Sequence, residues 1–205
     1  VPNYPLFLLT GLTFWTLLAG SMTVASTSLT GNADLLKKVA FPRQFVPLAA
    51  MVSQGLTALV MLIVLIPFGL WTMPGDRWTM LLLPVVILFS VALVAGISLV
   101  VAVLNVFFRD TEHIIAALLL PWFFLTPILY SFDSFPLATS HEWVVDVLKY
   151  GNFATPFVMA LQDVVFWGQV PSLGISLYVI LVGSFALIGG WVFFRRMQRD
   201  LAVEL

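Results

Sequence analysis

The side chains best suited to chemistry in this sequence form one short cluster, Arg109-Asp110-Thr111-Glu112-His113. Carboxylates beside an imidazole can bind a divalent metal or transfer protons. The same residue types also suit a solvated turn in which neighbouring charges pair locally, and we favour that interpretation. Arg109 supports it, because a cation near the C-terminus of a helix interacts favourably with the helix dipole. The cluster is therefore assigned no metal and no catalytic role.

A second possible chemistry rests on carboxylates in a long polar connection between two apolar stretches. Such groups could serve as bases or metal ligands in an intramembrane glycosyl- or acyltransferase. They are widely spaced, so this alternative is weak; they are Asp133, Glu142, Asp146 and Asp163. The chain has no cysteine, which excludes disulfides, thiolate metal sites and a cysteine nucleophile. No phosphate-binding G-x-x-x-x-G-K-[ST] motif is present, so ATP hydrolysis would require another chain.

The elements that carry these residues are set by an apolar composition. The 205-residue chain is 61% hydrophobic and only 9% charged, whereas an ordinary soluble domain is about 25% charged. Its mean hydropathy is +1.07. Lipid is therefore its natural solvent, and only helices or a closed barrel satisfy the backbone there. The apolar runs lack the period-two alternation of barrel strands, so we predict an all-α, polytopic membrane protein.

The apolar runs predict five membrane-spanning helices in one transmembrane domain that covers residues 1–205. The fourth is the shortest, and Pro121 and Pro127 should kink or break it. None of the five contains Asp, Glu, Lys, Arg or His, which argues against proton- or sodium-coupled transport. The predicted spans lie near residues 6–28, 46–72, 80–107, 114–131 and 172–194.

The distribution of lysine and arginine predicts the orientation of the spans. Arg77 and Lys149 fall on one side of the membrane. The remaining cations fall on the other side, which we expect to be cytoplasmic together with the C-terminus: Lys37, Lys38, Arg43, Arg109, Arg195, Arg196 and Arg199. The opening VPNYPLFLLTG does not look like a signal peptide. We expect one further span upstream, giving six in the intact protein.

A short basic segment, GNADLLKKVAFPRQFVPLA, separates the first two predicted spans at residues 31–49. Asn32 is a good N-cap, and Pro42 should end the short helix that follows. The predicted aliphatic face comprises Leu35, Leu36 and Val39, and the polar face comprises Asp34, Lys37 and Lys38. Such a helix can lie on anionic lipid, or its leucines can enter a groove on a cytoplasmic partner. The pattern alone leaves both possibilities open.

The same segment resembles the cytoplasmic coupling helix of type-two ABC exporter permeases, in the branch that exports O-antigen, teichoic acid and capsular polysaccharide. Residues 104–130, LNVFFRDTEHIIAALLLPWFFLTPILY, resemble the stretch that joins the fourth and fifth spans of that branch. The ending FFRRMQRDLAVEL is also similar. Three departures occur: Gln44 stands where the family often has Glu, and Asn152-Phe153 and Leu161-Gln162 stand where it often has Asn-Pro and a Tyr-Arg pair.

The resemblance implies the membrane subunit of an ATP-driven exporter, not an enzyme, in the bacterial plasma membrane. It would move lipid-linked polysaccharide to the outer face as a homodimer bound to two P-loop ATPase subunits. Those subunits would bind ATP and Mg²⁺, this chain would hold no cofactor, and nucleic acid is not an expected partner. Alternatives are export of a drug or small lipid by the same machinery, and a structural membrane scaffold.

The resemblance also assigns candidate site residues, none of them catalytic. Residues 32–43 would form the ATPase-coupling segment, comprising Asn32, Asp34, Leu35, Leu36, Lys37, Lys38, Val39, Phe41, Pro42 and Arg43. A possible second ATPase contact comprises Arg109, Asp110, Glu112 and His113. Aromatic rings that pack on sugar C–H faces could line a glycan path, or could simply face lipid: Phe14, Trp15, Trp122, Phe123, Phe124 and Tyr130.

Residues 139–168 form the last candidate site, a pair of short external helices. Thr139-Ser140-His141-Glu142 reads as a capping box that opens the first helix, and Thr155-Pro156 opens the second. Each is too short to cross a bilayer. In the resembling family such a pair forms a gate at the external mouth, and the alternative is simple surface packing.

Overall fold

A computed structural model describes residues 3–38, 42–72, 75–131, 142–198 and 200–204. The structure assigns helices and no strand to these residues, which confirms the all-α, polytopic membrane class. Four helices are long and apolar enough to cross a membrane: α1 (Tyr4–Gly31), α3 (Phe45–Thr72), α4 (Leu83–Phe107) and α8 (Leu173–Met197). A short 3₁₀ helix, Arg77–Leu82, leads directly into α4.

The fourth predicted span is a shorter helix, α5 (Thr111–Leu125), so its predicted end at residue 131 is wrong. Its 15 residues extend about 22 Å, less than the ~30 Å of hydrocarbon in a bilayer. Pro127 accounts for the early end, because a proline disfavours helical backbone at the residue before it, and Thr126 is extended with ψ 135°. Pro121 lies inside the helix without ending it.

The closest helix packing joins α4 and α8 through glycines. A Cβ on Gly96 would overlap the carbonyl of Ala186, and a Cβ on Gly190 would overlap the carbonyl of Gly96. Gly183 likewise faces the carbonyl of Phe89. Small residues of this kind let membrane helices approach until their backbones touch. The α4–α8 pair is therefore a rigid element, against which α1 and then α3 pack.

Short helices occupy the two ends of the bundle. At one end lie α2 (Ala33–Lys38) and α9 (Leu201–Glu204), and we call this the basic end because the cations at Lys37, Lys38, Arg43, Arg109, Arg195 and Arg196 belong to it. At the opposite end lie α6 (Glu142–Gly151) and α7 (Thr155–Gln162), and α7 continues into a π-helical turn, Asp163–Trp167. Residues 139–141 of the predicted capping box lie outside the described residues.

Helix α7 is an internal element rather than a surface helix. Four apolar side chains of α7 and of the π-helical turn that continues it are 0–3% exposed: Phe157, Leu161, Val164 and Val165. The Phe157 ring stacks on Phe14 of α1, with 5.5 Å between the ring centroids. This half of the predicted external pair is thus held between the long helices.

Candidate functional site

The two leucines of α2 differ sharply in exposure, although the sequence pattern places them on one face. Leu36 is 5% exposed, whereas Leu35 is 55% exposed. Leu36 packs into an apolar cluster that gathers several helices at the basic end: Leu29, Leu99, Ala102, Val103, Val106, Phe194 and Leu201. The sequence analysis left both leucines available to lipid or to a partner, whereas in the structure Leu36 is enclosed by the chain itself. Leu36 fixes α2 to the bundle, and Leu35 is presented outward beside exposed Lys37 and Lys38.

Asn32 links α1 to α2, but its side chain acts on the preceding helix. Its Nδ2 donates to the Ser28 carbonyl at 2.8 Å, which caps the C-terminal end of α1. Its own carbonyl accepts the Leu36 N–H at 3.0 Å. Asn32 thus occupies the predicted N-cap position of α2 through its carbonyl, while its side chain caps the end of α1 instead of the first turn of α2.

The exit of α2 is tied to the C-terminal segment. Arg43 Nη1 donates to the Gln198 carbonyl at 3.2 Å, shortly before Leu201 enters the cluster around Leu36. Leu201 is fully buried and was not among the sequence candidates. Pro42 is exposed, whereas Val39 and Phe41 lie outside the described residues. Helix α2 is consequently held at its start by Asn32, at its middle by Leu36 and beyond its end by Arg43.

The ionisable cluster after α4 forms a tight turn next to α2. Asn105, which is 3% exposed, accepts the Glu112 N–H through Oδ1 at 3.2 Å and so joins α4 to α5. His113 Nε2 lies 3.5 Å from Glu112 Oε1 at the surface. Among the described residues, no group of three or more His, Cys, Asp or Glu side chains is placed to hold a metal. The charged side chains Arg109, Asp110 and His113 of this turn are exposed and available for contact.

The turn lies beside α2 and carries an exposed aromatic ring. A cavity of about 320 Å³ lies between the two, lined by residues that include Ala33, Asn105, Arg109 and Glu112. Phe108 is 66% exposed, which the sequence analysis did not single out. This exposed phenyl ring next to Arg109 adds an apolar side chain to the surface of the turn.

The predicted glycan-path aromatics separate into buried and accessible members. Phe14 is 1% and Trp15 is 8% exposed, so both are enclosed by the chain's own side chains. Trp15 meets Trp122 and Phe123 edge-on, at 6.2 and 5.5 Å between ring centroids. Phe124 is 57% exposed. In this conformation Phe124 is the member most available to an external molecule, with Trp122, Phe123 and Tyr130 partly covered.

The residues after α5 form an unwound segment whose carbonyls are satisfied by side chains from other elements. The Gln162 Nε2 donates to the Pro127 carbonyl at 3.0 Å, and the Tyr4 hydroxyl donates to the Leu129 carbonyl at 3.2 Å. Backbone groups without helical partners are tolerated at membrane depth only when protein or water satisfies them. These bonds satisfy two of the carbonyls that have no helical partner after α5.

Asn152, between α6 and α7, makes the most connected of these bridges. Its Oδ1 accepts from Trp122 Nε1 at 2.8 Å and from the Ala154 N–H at 3.1 Å. Its Nδ2 donates to Thr126 Oγ1 at 3.0 Å. One amide thus ties the end of α5 to the start of α7. The sequence marked Asn152 only as a departure from the resembling family, so its role depends on contacts that sequence reasoning missed.

We expect Asn152→Ala to lower the free energy of unfolding by about 1–3 kcal/mol, because the Trp122 N–H loses its acceptor in a partly buried site. Thermal unfolding of the purified protein in detergent measures the change. Trp122→Phe provides the partner for a double-mutant cycle, and the two effects should be clearly less than additive. Strict additivity would show that the Trp122–Asn152 bond contributes nothing.

The carboxylates considered for transferase chemistry are not assembled by the described part of the chain. Asp163 Oδ1 accepts from Gln169 Nε2 at 2.9 Å and lies on the π-helical turn. The side chains of Glu142 and Asp146, and the whole of Asp133, lie outside the description. No described arrangement therefore supports the transferase alternative.

Comparison with known proteins matches residues 1–152 to the family described as ABC-2 type transporter. An O-antigen export system permease protein RfbA of Klebsiella pneumoniae is 37% identical over 149 residues, which cover 71% of this chain and 56% of that protein. The protein of the same name from Myxococcus xanthus is 34% identical over 146 residues, 69% of this chain and 53% of that protein. The chain thus spans about half the length of the curated relatives it matches.

Proposed function

Because the chain belongs to the ABC-2 type transporter family, we propose that it is the membrane subunit of an ATP-driven exporter of lipid-linked polysaccharide. Its relatives are named as O-antigen export permeases, which supports this substrate class. Two copies would pair with two P-loop ATPase subunits that bind ATP and Mg²⁺. The polysaccharide would move from the cytoplasmic to the outer face of the bacterial plasma membrane.

The single observation that carries the mechanism is the opposite placement of Leu35 and Leu36. A helix that transmits force needs one side chain bound to the partner and another bound to the moving helices. Leu35 is available for the partner, while Leu36 is packed against residues of α1, α4 and α8. A push on Leu35 would therefore be transmitted through Leu36 to a cluster that contains residues of these three long helices, which a helix lying loosely on lipid could not achieve.

The surroundings of α2 fit this role. Arg43 ties its exit to Gln198, so the segment can move as one piece with the end of α8. The exposed turn with Phe108, Arg109, Asp110 and His113 offers the second ATPase contact. In this mechanism the described residues transmit motion, and the chemical step takes place on the partner.

Reconstitution tests the proposed function. The chain is co-expressed with a candidate P-loop ATPase subunit, purified as a complex and placed in vesicles with lipid-linked polysaccharide. We expect co-purification, ATP hydrolysis stimulated by the polysaccharide, and ATP-dependent appearance of polysaccharide on the opposite face. Hydrolysis that is indifferent to the polysaccharide but stimulated by a small lipid or drug would contradict the proposed substrate.

A further inference from the structure

A polar cavity of about 500 Å³ lies at the end of the bundle opposite the basic end. It is bounded by the unwound segment after α5, the end of α7, the π-helical turn and the start of α8. Its lining includes Lys149, Gln162, Asp163, Trp167 and Gln169. The volume falls within the roughly 300–1,000 Å³ typical of ligand pockets. Neither the predicted coupling surface nor the predicted aromatic path includes these five residues.

An unusual backbone builds one wall of this cavity. The π-helical turn Asp163–Trp167 ends at Gly168, whose φ of 62° suits glycine. The Gly168 N–H returns to the Asp163 carbonyl, and the Gly168 carbonyl accepts the Asp76 N–H at 2.9 Å. A Cβ on Gly168 would lie 2.7 Å from backbone atoms of Gly75. Single π turns occur frequently at functional sites, and this one holds Asp163 and Trp167 at the same wall.

The polar side chains of the cavity are positioned before any ligand arrives. Gln162 is 4% exposed, and its bond to the Pro127 carbonyl orients the amide. Among the described residues the Gln162 side chain makes this one hydrogen bond. Its Oε1 and its second N–H are therefore available to a ligand. Gln169 Nε2 holds Asp163 Oδ1 at 2.9 Å. The Trp167 ring packs edge-on against Phe166, 4.7 Å between centroids, and remains partly exposed.

This combination of groups matches a sugar better than an anion or an apolar molecule. A sugar hydroxyl both donates and accepts, and amides beside a carboxylate satisfy both functions. The apolar C–H face of a sugar ring packs on an indole. The described lining carries one cation, Lys149, and one carboxylate, Asp163, so it has no net positive charge to attract phosphate.

We propose that this cavity binds one or two sugar units of a neutral glycan, with Trp167 under the ring and Gln162 and Asp163 on the hydroxyls. The inference rests on the proposed function for its substrate class and adds a place where the glycan is held. Since the cavity lies beside α7 and the unwound segment after α5, a bound sugar would contact both elements at once. The bound sugar would thereby hold the exported polysaccharide in place between successive rounds of ATP hydrolysis.

A direct binding measurement tests this site. The probe is the repeating oligosaccharide released from the surface polysaccharide of the strain that expresses the protein, titrated by calorimetry into the permease–ATPase complex in nanodiscs. We expect Trp167→Ala to weaken binding about tenfold, because the substitution removes one aromatic contact together with the area that this contact buries. Gln169→Leu, at an exposed position, should weaken it about threefold to tenfold. Trp71→Ala, an 86% exposed tryptophan outside the cavity, is the matched control and should bind as the unaltered protein does.

The outcomes separate this proposal from the proposed function. Equal affinity in the unaltered protein and in Trp167→Ala, or binding of pyrophosphate in place of the oligosaccharide, overturns the sugar site. Polysaccharide export that proceeds without any measurable binding of the oligosaccharide also overturns the site while sustaining the exporter. Binding that depends on Trp167 in a complex that exports no polysaccharide supports the site and contradicts the exporter.

Discussion

Export should be lost in Leu35→Asp, while the protein still folds, inserts into the membrane and reaches normal abundance. Leu35 is 55% exposed and lies on a helix that the rest of the chain already holds in place. Removing its burial in a partner costs roughly 1.5–3 kcal/mol, which corresponds to docking that is roughly ten- to a hundredfold weaker. An aspartate also carries a charge into an apolar groove, which adds to the loss. ATP-dependent transport in vesicles and co-purification of the ATPase measure the two effects.

A matched control is available at the opposite end of the bundle. Leu81 is 77% exposed and lies on the short 3₁₀ helix before α4, within a predicted span, so the comparison uses Leu35→Ala and Leu81→Ala, which remove the same exposed side chain without placing a charge at lipid. We expect Leu35→Ala to reduce export and Leu81→Ala to export at the normal rate. Full transport in Leu35→Asp, or equal losses in both alanine variants, would show that Leu35 does not dock on the ATPase.

The contrast with Leu36 shows why α2 could be only partly predicted from the sequence. Periodicity places Leu35 and Leu36 on one apolar face, because adjacent helical residues lie only about 100° apart. Which of them turns inward depends on the cluster formed by Leu29, Phe194 and Leu201, which come from distant parts of the chain. Leu36→Asp would place a charge in that cluster and destabilise the bundle. Loss of export in that variant would therefore reveal nothing about docking.

The long helices could be predicted well because their signal is local. Each predicted span is a charge-free apolar run, and four of the runs coincide with helices of 25 residues or more. The exception is α5, where the sequence contains two prolines of opposite effect. Pro121 is tolerated within the helix, whereas the chain unwinds before Pro127, where Gln162 supplies a hydrogen bond to the carbonyl. That hydrogen bond joins residues that are distant in sequence, so local sequence patterns do not predict it.

The candidate sites divide in the same way. The basic amphipathic stretch between two spans is visible in the sequence, and the resemblance to the exporter family predicts its coupling role. The bridges made by Asn152 and Gln162, and the cavity beside the π-helical turn, depend on side chains that converge from three or four elements. In the sequence, Gly168 could not be distinguished from the other glycines. In the structure its positive φ and its contact with Gly75 fix the wall of that cavity.

Two adjacent glycines of α8 should respond in opposite directions to the same substitution. Gly190→Ala should lower the free energy of unfolding by about 1–3 kcal/mol, because the new methyl group would overlap the backbone of Gly96 and force α4 and α8 apart. In a protein of this size that corresponds to a fall in Tm of roughly 3–10 °C. Gly189 has nothing within 4 Å of its Cβ position, so Gly189→Ala should leave Tm unchanged or raise it through the better helix propensity of alanine.

Thermal unfolding in detergent compares the two variants under identical conditions, and their opposite signs remove helix propensity as an explanation. A second consequence concerns coupling, because α8 leads directly to the segment that Arg43 holds through the Gln198 carbonyl. Separating α4 from α8 should therefore also loosen the cluster around Leu36, and Gly190→Ala should reduce transport more than it reduces ATPase binding. A Gly190→Ala protein as stable as Gly189→Ala would mean that α4 and α8 do not meet at these glycines, and the rigid element assigned to the α4–α8 pair would have to be abandoned.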